Sequence, residues 1–224
     1  MHRFALGVFF FACLGVVATT YGCSDDSAGV PPEPDAGNPT RRTDSGGSSG
    51  GNDATSDAPT GPTYKAKATI AATGLPDSGT AVGTVDFTET NGMVAVNISI
   101  TGATPGDHGM HIHDGTSCAN STDPDAGAAG FAASASGHWN PADAGHGLPS
   151  GATHHPGDLG NITIDGTGAG TLTLNMTGYN VQPDGGTLSA LNHAVVFHQG
   201  KDDGTTQPTG ASGSRAGCGI IQPQ

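Results

Sequence analysis

The sequence predicts an all-β fold, an antiparallel sandwich or barrel, and three observations carry that expectation. Helical periodicity is nearly absent. Short runs of β-branched and apolar residues alternate with polar ones instead. Between the runs stand Gly, Asp, Asn and Pro, the residues of turns. Residues 64–71 alternate first and 81–88 follow. Asn91-Gly92 is the strongest short hairpin signal, since both residue types accept positive φ, and it leads into the alternating run 93–100. His111-Ile112-His113 forms a fourth run, and 161–164 a fifth, stopped by a turn at Asp165-Gly166. Residues 171–176, 194–198 and 218–221 complete a set of about eight short strands. Two stretches, 115–160 and 199–216, break this rhythm, being Gly-rich and poor in apolar residues. Loops that long inside a compact domain are functional or disordered, and the histidines of the first favour function.

Ahead of these strands, Arg3 and the uncharged apolar stretch 4–18 predict a secretion signal over residues 1–22, too short for a comfortable membrane span. Thr20-Tyr21-Gly22-Cys23 resembles a bacterial lipoprotein signal, in which Cys23 becomes the lipidated first residue; ordinary signal-peptidase cleavage is the alternative. Residues 23–62 lack apolar periodicity and consist mainly of Ser, Asp, Gly, Pro, Thr and Ala, which predicts a disordered tether. Membrane attachment through a lipid on Cys23 would give that tether the job of reach. The folded domain is then 63–224. It holds four basic residues, Lys65, Lys67, Lys201 and Arg215, against thirteen Asp or Glu, in a chain of net charge −13. Such a surface repels phosphate backbones, so nucleic acid is excluded as a partner. Cys13 lies in the signal, which leaves Cys118 and Cys218 as an even pair in an oxidising compartment. They predict one disulfide, worth roughly 4–5 kcal/mol in the chain-entropy model. A zinc-binding pair is the alternative, though no Cys-x-x-Cys unit is present.

Nine of the ten histidines fall between His108 and His198. On a strand, His111 and His113 project to one face, because side chains alternate with period two. His138, His146, the pair His154-His155 with Asp158 behind it, and His198 at a strand end supply further donors. Each piece alone is commonplace: an isolated His-x-His is usually incidental, and a loop histidine is usually solvated. Their number and order point to a polynuclear metal site.

These residues carry a resemblance. The run from Gly106 through His111-Ile112-His113 resembles the first copper-ligand motif of copper-zinc superoxide dismutases, and Gly137-His138-Trp139-Asn140-Pro141 their bridging-histidine segment. His146-Gly147 and His155-Pro156-Gly157-Asp158-Leu159-Gly160-Asn161 resemble the zinc loop. Val195-Val196-Phe197-His198 resembles the last copper strand, and Gly213 to Gly219 the segment of the active-site arginine and disulfide cysteine. The length between His113 and His138 is similar to the bacterial secreted branch. The resemblance implies an eight-stranded antiparallel Greek-key barrel or sandwich (immunoglobulin-like) with two long functional loops. It implies copper on His111, His113, His138 and His198, and zinc on His138, His146, His155 and Asp158. Four imidazoles suit copper(II), and three nitrogens with one carboxylate suit a structural zinc. His155 takes precedence over His154 because the family histidine stands three residues before its aspartate. Asp202 resembles the aspartate that links a copper-ligand to a zinc-ligand histidine. Arg215 and His138 would be catalytic, and His108 structural; His193 matches no role.

The implied function is an extracytoplasmic superoxide dismutase, periplasmic or at the cell surface, a monomer or homodimer, converting superoxide to oxygen and hydrogen peroxide by copper redox cycling. Residues 204–214 carry no charge, so electrostatic guidance of the superoxide anion is expected to be weak unless Lys201 supplies it. The rival readings are a non-catalytic copper-binding or copper-delivery surface lipoprotein of the same fold, and a tethered lipoprotein binding zinc alone.

Overall fold

Alternation along the chain becomes nine strands in the computed structural model, which describes residues 61–121 and 130–224. They are β1 (Thr63–Ala72), β2 (Gly79–Thr90), β3 (Met93–Ala103), β4 (Gly106–His113), β5 (Asp158–Ile164), β6 (Gly170–Met176), β7 (Ala194–His198), β8 (Arg215–Ile220) and the two-residue β9 (Gln222–Pro223). Among the described residues the only helical pieces are 3₁₀ turns at Ala133–Ala135 and Gly186–Leu188. The expected signal segment 1–22 and nearly all of the expected tether 23–62 lie outside the described residues.

The strands hydrogen-bond in the order β5-β4-β7-β8-β1-β2-β3-β6, with every neighbouring pair antiparallel. β5 and β6 stand at the two ends of that order yet follow each other in sequence through the turn at 165–169. They approach so closely that a Cβ on Gly170 would stand 2.4 Å from the Thr163 carbonyl oxygen, and the barrel is nearly closed. The chain crosses between its two halves at β3–β4 and β6–β7, the Greek-key connections the resemblance implies. β9, which the sequence pattern did not mark, extends the edge of β1 through Ala66 and Lys67.

Burial explains two kinds of strand pattern. On β1, Ala66, Ala68 and Ile70 face the core while Lys65 and Thr69 face water; on β3, Val94, Val96, Ile98 and Ile100 face inward. β7 is buried at all five positions. Val195 and Phe197 point into the barrel with Met110 and Ile112, whereas Ala194 and Val196 pack outside it against Ala132, Ala135 and Cys218. A strand covered on both faces reads as a continuous apolar run, which is how 194–198 appears in the sequence.

Specific contacts hold the connections. Asn91 (φ 53°) and Gly92 (φ 76°) form the two-residue hairpin between the paired Thr90 and Met93. The disulfide forms between Cys118 and Cys218, with Cα atoms 5.7 Å apart, and ties the first long loop to β8; the zinc-pair alternative is thereby set aside. Glu89, 2% exposed, accepts the Val181 N–H at 2.8 Å and the Gln182 side-chain amide. This carboxylate anchors the connection 177–193, a third long segment that composition did not single out.

A Cβ on Gly92 would meet no atom within 4 Å, so Gly92→Ala tests the turn's backbone alone. We expect a loss of about 1 kcal/mol, read from the urea midpoint at unchanged slope.

Candidate metal centre

The geometry of β4 builds the centre. Met110 and Ile112 enter the core, so His111 and His113 emerge together on the opposite face. Strand β7 runs beside β4, pairing His111 with Val196, and delivers His198 at its end. The first long loop is bound along β4 by main-chain hydrogen bonds: Trp139 N–H to the Ile112 carbonyl (2.8 Å) and Asp114 N–H to the Gly137 carbonyl (2.9 Å). An isolated bridge pairs His138 with His113.

Two donor sets result, each with its ligand-capable atoms within 4.8 Å of one another: His111, His113, His138 and His198, and then His138, His146, His155 and Asp158. Hydrogen bonds decide which nitrogen each ring offers. His111 Nε2–H donates to Asp202 Oδ2 (2.8 Å), His113 Nδ1–H to the Ser136 carbonyl (2.8 Å) and His198 Nδ1–H to the Gly213 carbonyl (3.0 Å). That leaves His111 Nδ1, His113 Nε2 and His198 Nε2 for the first set, the last two 3.2 Å apart. His138 is common to both sets. Its Nδ1 lies 2.9 Å from Asp158 Oδ1, and its buried Nε2 has no partner. In the second set His155 Nδ1 lies 3.2 Å from Asp158 Oδ1. His146 Nδ1 stands 3.1 Å from Asp158 Oδ2, near enough for an ion pair but without hydrogen-bond geometry. Such side-by-side approach suits two ligands of one ion. His154 turns away, its Nδ1–H donating to the His155 carbonyl at 2.8 Å.

Asp202 joins the two halves. Its Oδ2 accepts from His111 and its Oδ1 from His146 Nε2 (3.0 Å) and the Gly204 N–H (2.7 Å), with no part of the residue exposed. These partners orient both rings and set their tautomers. Gly210 (φ 63°) closes over this bridge: a Cβ there would stand 1.9 Å from Asp202 Oδ1 and 2.5 Å from His146 Nε2.

Three buried nitrogens without partners, His111 Nδ1, His138 Nε2 and His146 Nδ1, are the sign of a site made for cations. Burial, reinforced by neighbouring imidazoles, pushes His111 and His113 well below the usual imidazole range, and burial holds His198 down at about 3. Burial opposes ionisation of Asp158, but hydrogen bonds from His138 and from the His155 and Gly147 N–H groups prevail and hold it at about 2. Neutral imidazoles beside an ionised carboxylate are the donors that metal coordination requires. The first set, all imidazole, suits copper; the second, with three nitrogens and one oxygen, suits zinc.

Beside the first set lies a cavity of about 280 Å³ lined by His113, Gly137, His138, His198, Thr209, Ser212, Gly213 and Arg215. Arg215 is 8% exposed and donates to the Ala132 carbonyl (2.6 Å) and the Ser136 carbonyl. Ser136 thus receives both the arginine and the His113 ring, a link invisible in the sequence because a main-chain oxygen makes it. Lys201 instead pairs with Asp107 at the surface (3.0 Å) and does not line the cavity. His108 bonds the His198 and Thr104 carbonyls, the structural place expected of it. His193 stands apart, on the Asp114 carbonyl and against Trp139.

An antiparallel barrel with two histidine-rich donor sets sharing one imidazole defines a two-metal β-barrel protein. The family described as copper/zinc superoxide dismutase (SODC) matches residues 81–221, and the chain belongs to that family. An extracellular Cu-Zn superoxide dismutase of Caenorhabditis elegans is 34% identical over 146 residues, 62% of this chain and 60% of that relative's length. Among solved structures, the clock protein EA4 is 28% identical, with a TM-score of 0.57 over 71% of this chain and 94% of that one.

Acid stability of the metal-free protein follows from the histidines. Below the ordinary imidazole value of 6.5, the unfolded chain protonates residues 111, 113 and 198 while the fold keeps them neutral. The unfolded state then binds more protons, so stability is full above that pH and declines as pH falls. Denaturation of the chelated protein should show stability level above the ordinary imidazole value and falling as pH drops below it, read from the denaturant midpoint across that range. Gly210→Ala should separate the Asp202–His146 bond and loosen metal binding by about 10–100-fold, measured by chelator competition.

Proposed function

We propose that the protein is an extracytoplasmic superoxide dismutase, converting two superoxide anions and two protons to oxygen and hydrogen peroxide. Copper would be held by His111, His113, His138 and His198, and a structural zinc by His138, His146, His155 and Asp158. The observation that carries this reading is the imidazole of His138, common to both donor sets, which lines the cavity that holds Arg215 and faces Asp158 at Nδ1. When bound, copper supplies the one-electron couple that dismutation needs, and zinc a fixed positive charge.

The chain's own residues do the rest. A small cavity admits a diatomic anion, and Arg215 supplies the cation among its lining residues. Burial lowers the arginine's pKa, yet a guanidinium stays charged at any physiological pH. Its contacts with Ala132 and Ser136 hold the fork in place and leave other N–H groups for substrate. His138, whose buried Nε2 has no other partner, would be the side chain placed to supply one of the two protons of the departing peroxide whenever that nitrogen is not coordinated, solvent supplying the other. With Lys201 engaged by Asp107, long-range steering is weak.

The compartment reading rests on the disulfide and on the signal-like residues 1–22, which lie outside the described residues. We place the chain in the bacterial secreted branch, held at a membrane by a lipid on Cys23 with 24–62 as the tether. Monomer and homodimer are both compatible with the barrel.

The test is stopped-flow dismutation by the full chain loaded with copper and zinc, beside a copper-free sample and Arg215→Ala. We expect copper-dependent turnover, a fall of about 10–100-fold in the variant and little dependence on ionic strength. Tight binding of both metals without turnover would overturn the enzyme reading in favour of a copper-binding module.

A further inference from the structure

Outside the residues that the motifs mark, one side chain makes an unusual pair of contacts with the centre. Gln207 lies in the second long loop, 61 positions from His146. Its Oε1 accepts the His146 N–H at 2.8 Å, and its Nε2 donates to the His146 carbonyl at 2.9 Å. One planar amide thus satisfies both main-chain groups of a single residue, as a neighbouring strand would. The same loop grips the ring of His146 as well, through Asp202 Oδ1 (3.0 Å). His146 is 4% exposed, and no strand supports it: the nearest are β4, which ends at His113, and β5, which begins at Asp158. Without Gln207, its main chain would have no partner among the hydrogen bonds of the described residues.

The consequence concerns the second donor set. A ligand on a loop must have its direction fixed by something else, and here ring and backbone are fixed from one loop. That loop also contributes Thr209, Ser212 and Gly213 to the cavity wall. We propose that Gln207 is a positioning residue for the zinc half of the centre. It pre-orients His146 toward Asp158 and couples zinc occupancy to the order of the loop 199–214. This inference rests on the assignment of His146 as a zinc ligand. Among the described residues His111, His113 and His198 make no hydrogen bond with Gln207, so its removal should weaken the second set far more than the first.

The experiment is titration of the metal-free full chain with Co²⁺, whose absorption reports the geometry of a nitrogen–oxygen site, followed by competition with Zn²⁺ and a chelator. Wild type is compared with Gln207→Ala, Gln207→Glu and His146→Ala. Gln207→Ala should bind Zn²⁺ about 10–100-fold more weakly, with an altered Co²⁺ band, while copper binding stays within about twofold. Gln207→Glu retains the acceptor and loses the donor, so it should fall between the two. Circular dichroism and the denaturant midpoint of the metal-free forms identify any variant that has merely unfolded. Zn²⁺ affinity and Co²⁺ spectrum in Gln207→Ala equal to wild type, or a parallel loss of copper, would overturn the proposal. If His146→Ala leaves Zn²⁺ binding unchanged, the ligand assignment itself fails, which is a distinct result.

Discussion

The centre depends on one buried carboxylate. Asp202 accepts hydrogen bonds from His111 Nε2 and His146 Nε2, rings carried on β4 and on a loop that have no other direct tie at these atoms. A carboxylate without exposure is costly unless its oxygens find donors, and a third donor, the Gly204 N–H, comes from its own loop. These three bonds then impose geometry. Both rings must present Nδ1 to their donor sets, since Nε2 is engaged. Asn161 on β5 fixes Asp202 in turn, accepting its N–H at 2.8 Å and donating to its carbonyl at 2.9 Å. The barrel wall, the two long loops and the ring tautomers are therefore parts of one hydrogen-bonded unit.

Strand β4 shows how the same alternation serves core and site. Met110 and Ile112 are fully buried in the barrel, and His111 and His113 are equally shielded on the other face. That second face stays dry only because loops cover it, and the loops stay in place because side chains of the site bond to them. His113 and Arg215 both donate to Ser136, and His198 donates to Gly213. Coordination geometry and loop conformation are consequently not separable. A ring that moved would release a carbonyl, and a loop that moved would release a ring.

Much of this was legible in the chain. Period-two alternation and Asn91-Gly92 locate most strands and the β2–β3 hairpin, because both depend on local geometry alone. The His-x-His pair was legible for the same reason. The spacing of His155 and Asp158 is informative through the family resemblance, and the fold supplies its physical reason: the aspartate reaches back to the His155 N–H at 2.8 Å. Less could be read where main-chain atoms or distant loops make the contact. Ser136 acts through a carbonyl, which any residue type possesses. Glu89 appears as one more polar residue in a strand, and only the folded connection 177–193 explains why a carboxylate can be buried there. Gln207 and Gly210 sit in a loop whose composition marks it as irregular and says nothing of what it touches. In the sequence Lys201 is the candidate for guiding an anion, but Asp107, brought beside it by β4, pairs with its charge.

The disulfide has a place in this scheme beyond loop closure. Cys218 lies three residues after Arg215 on β8, and Cys118 opens the loop whose later residues, Ala132 and Ser136, receive the guanidinium. The arginine is thus held between two segments that the disulfide already joins. Ala132 and Ser136 both adopt positive φ, at 45° and 63°, a backbone state that non-glycine residues leave readily unless it is externally fixed. Asn120 donates to the Thr73 carbonyl and accepts the Ala132 N–H, pinning the same turn from a third direction. Three independent restraints on a two-carbonyl cradle keep a single cation facing the cavity. On the proposed function, precision at that one position would stand in for the broader positive field that this domain lacks.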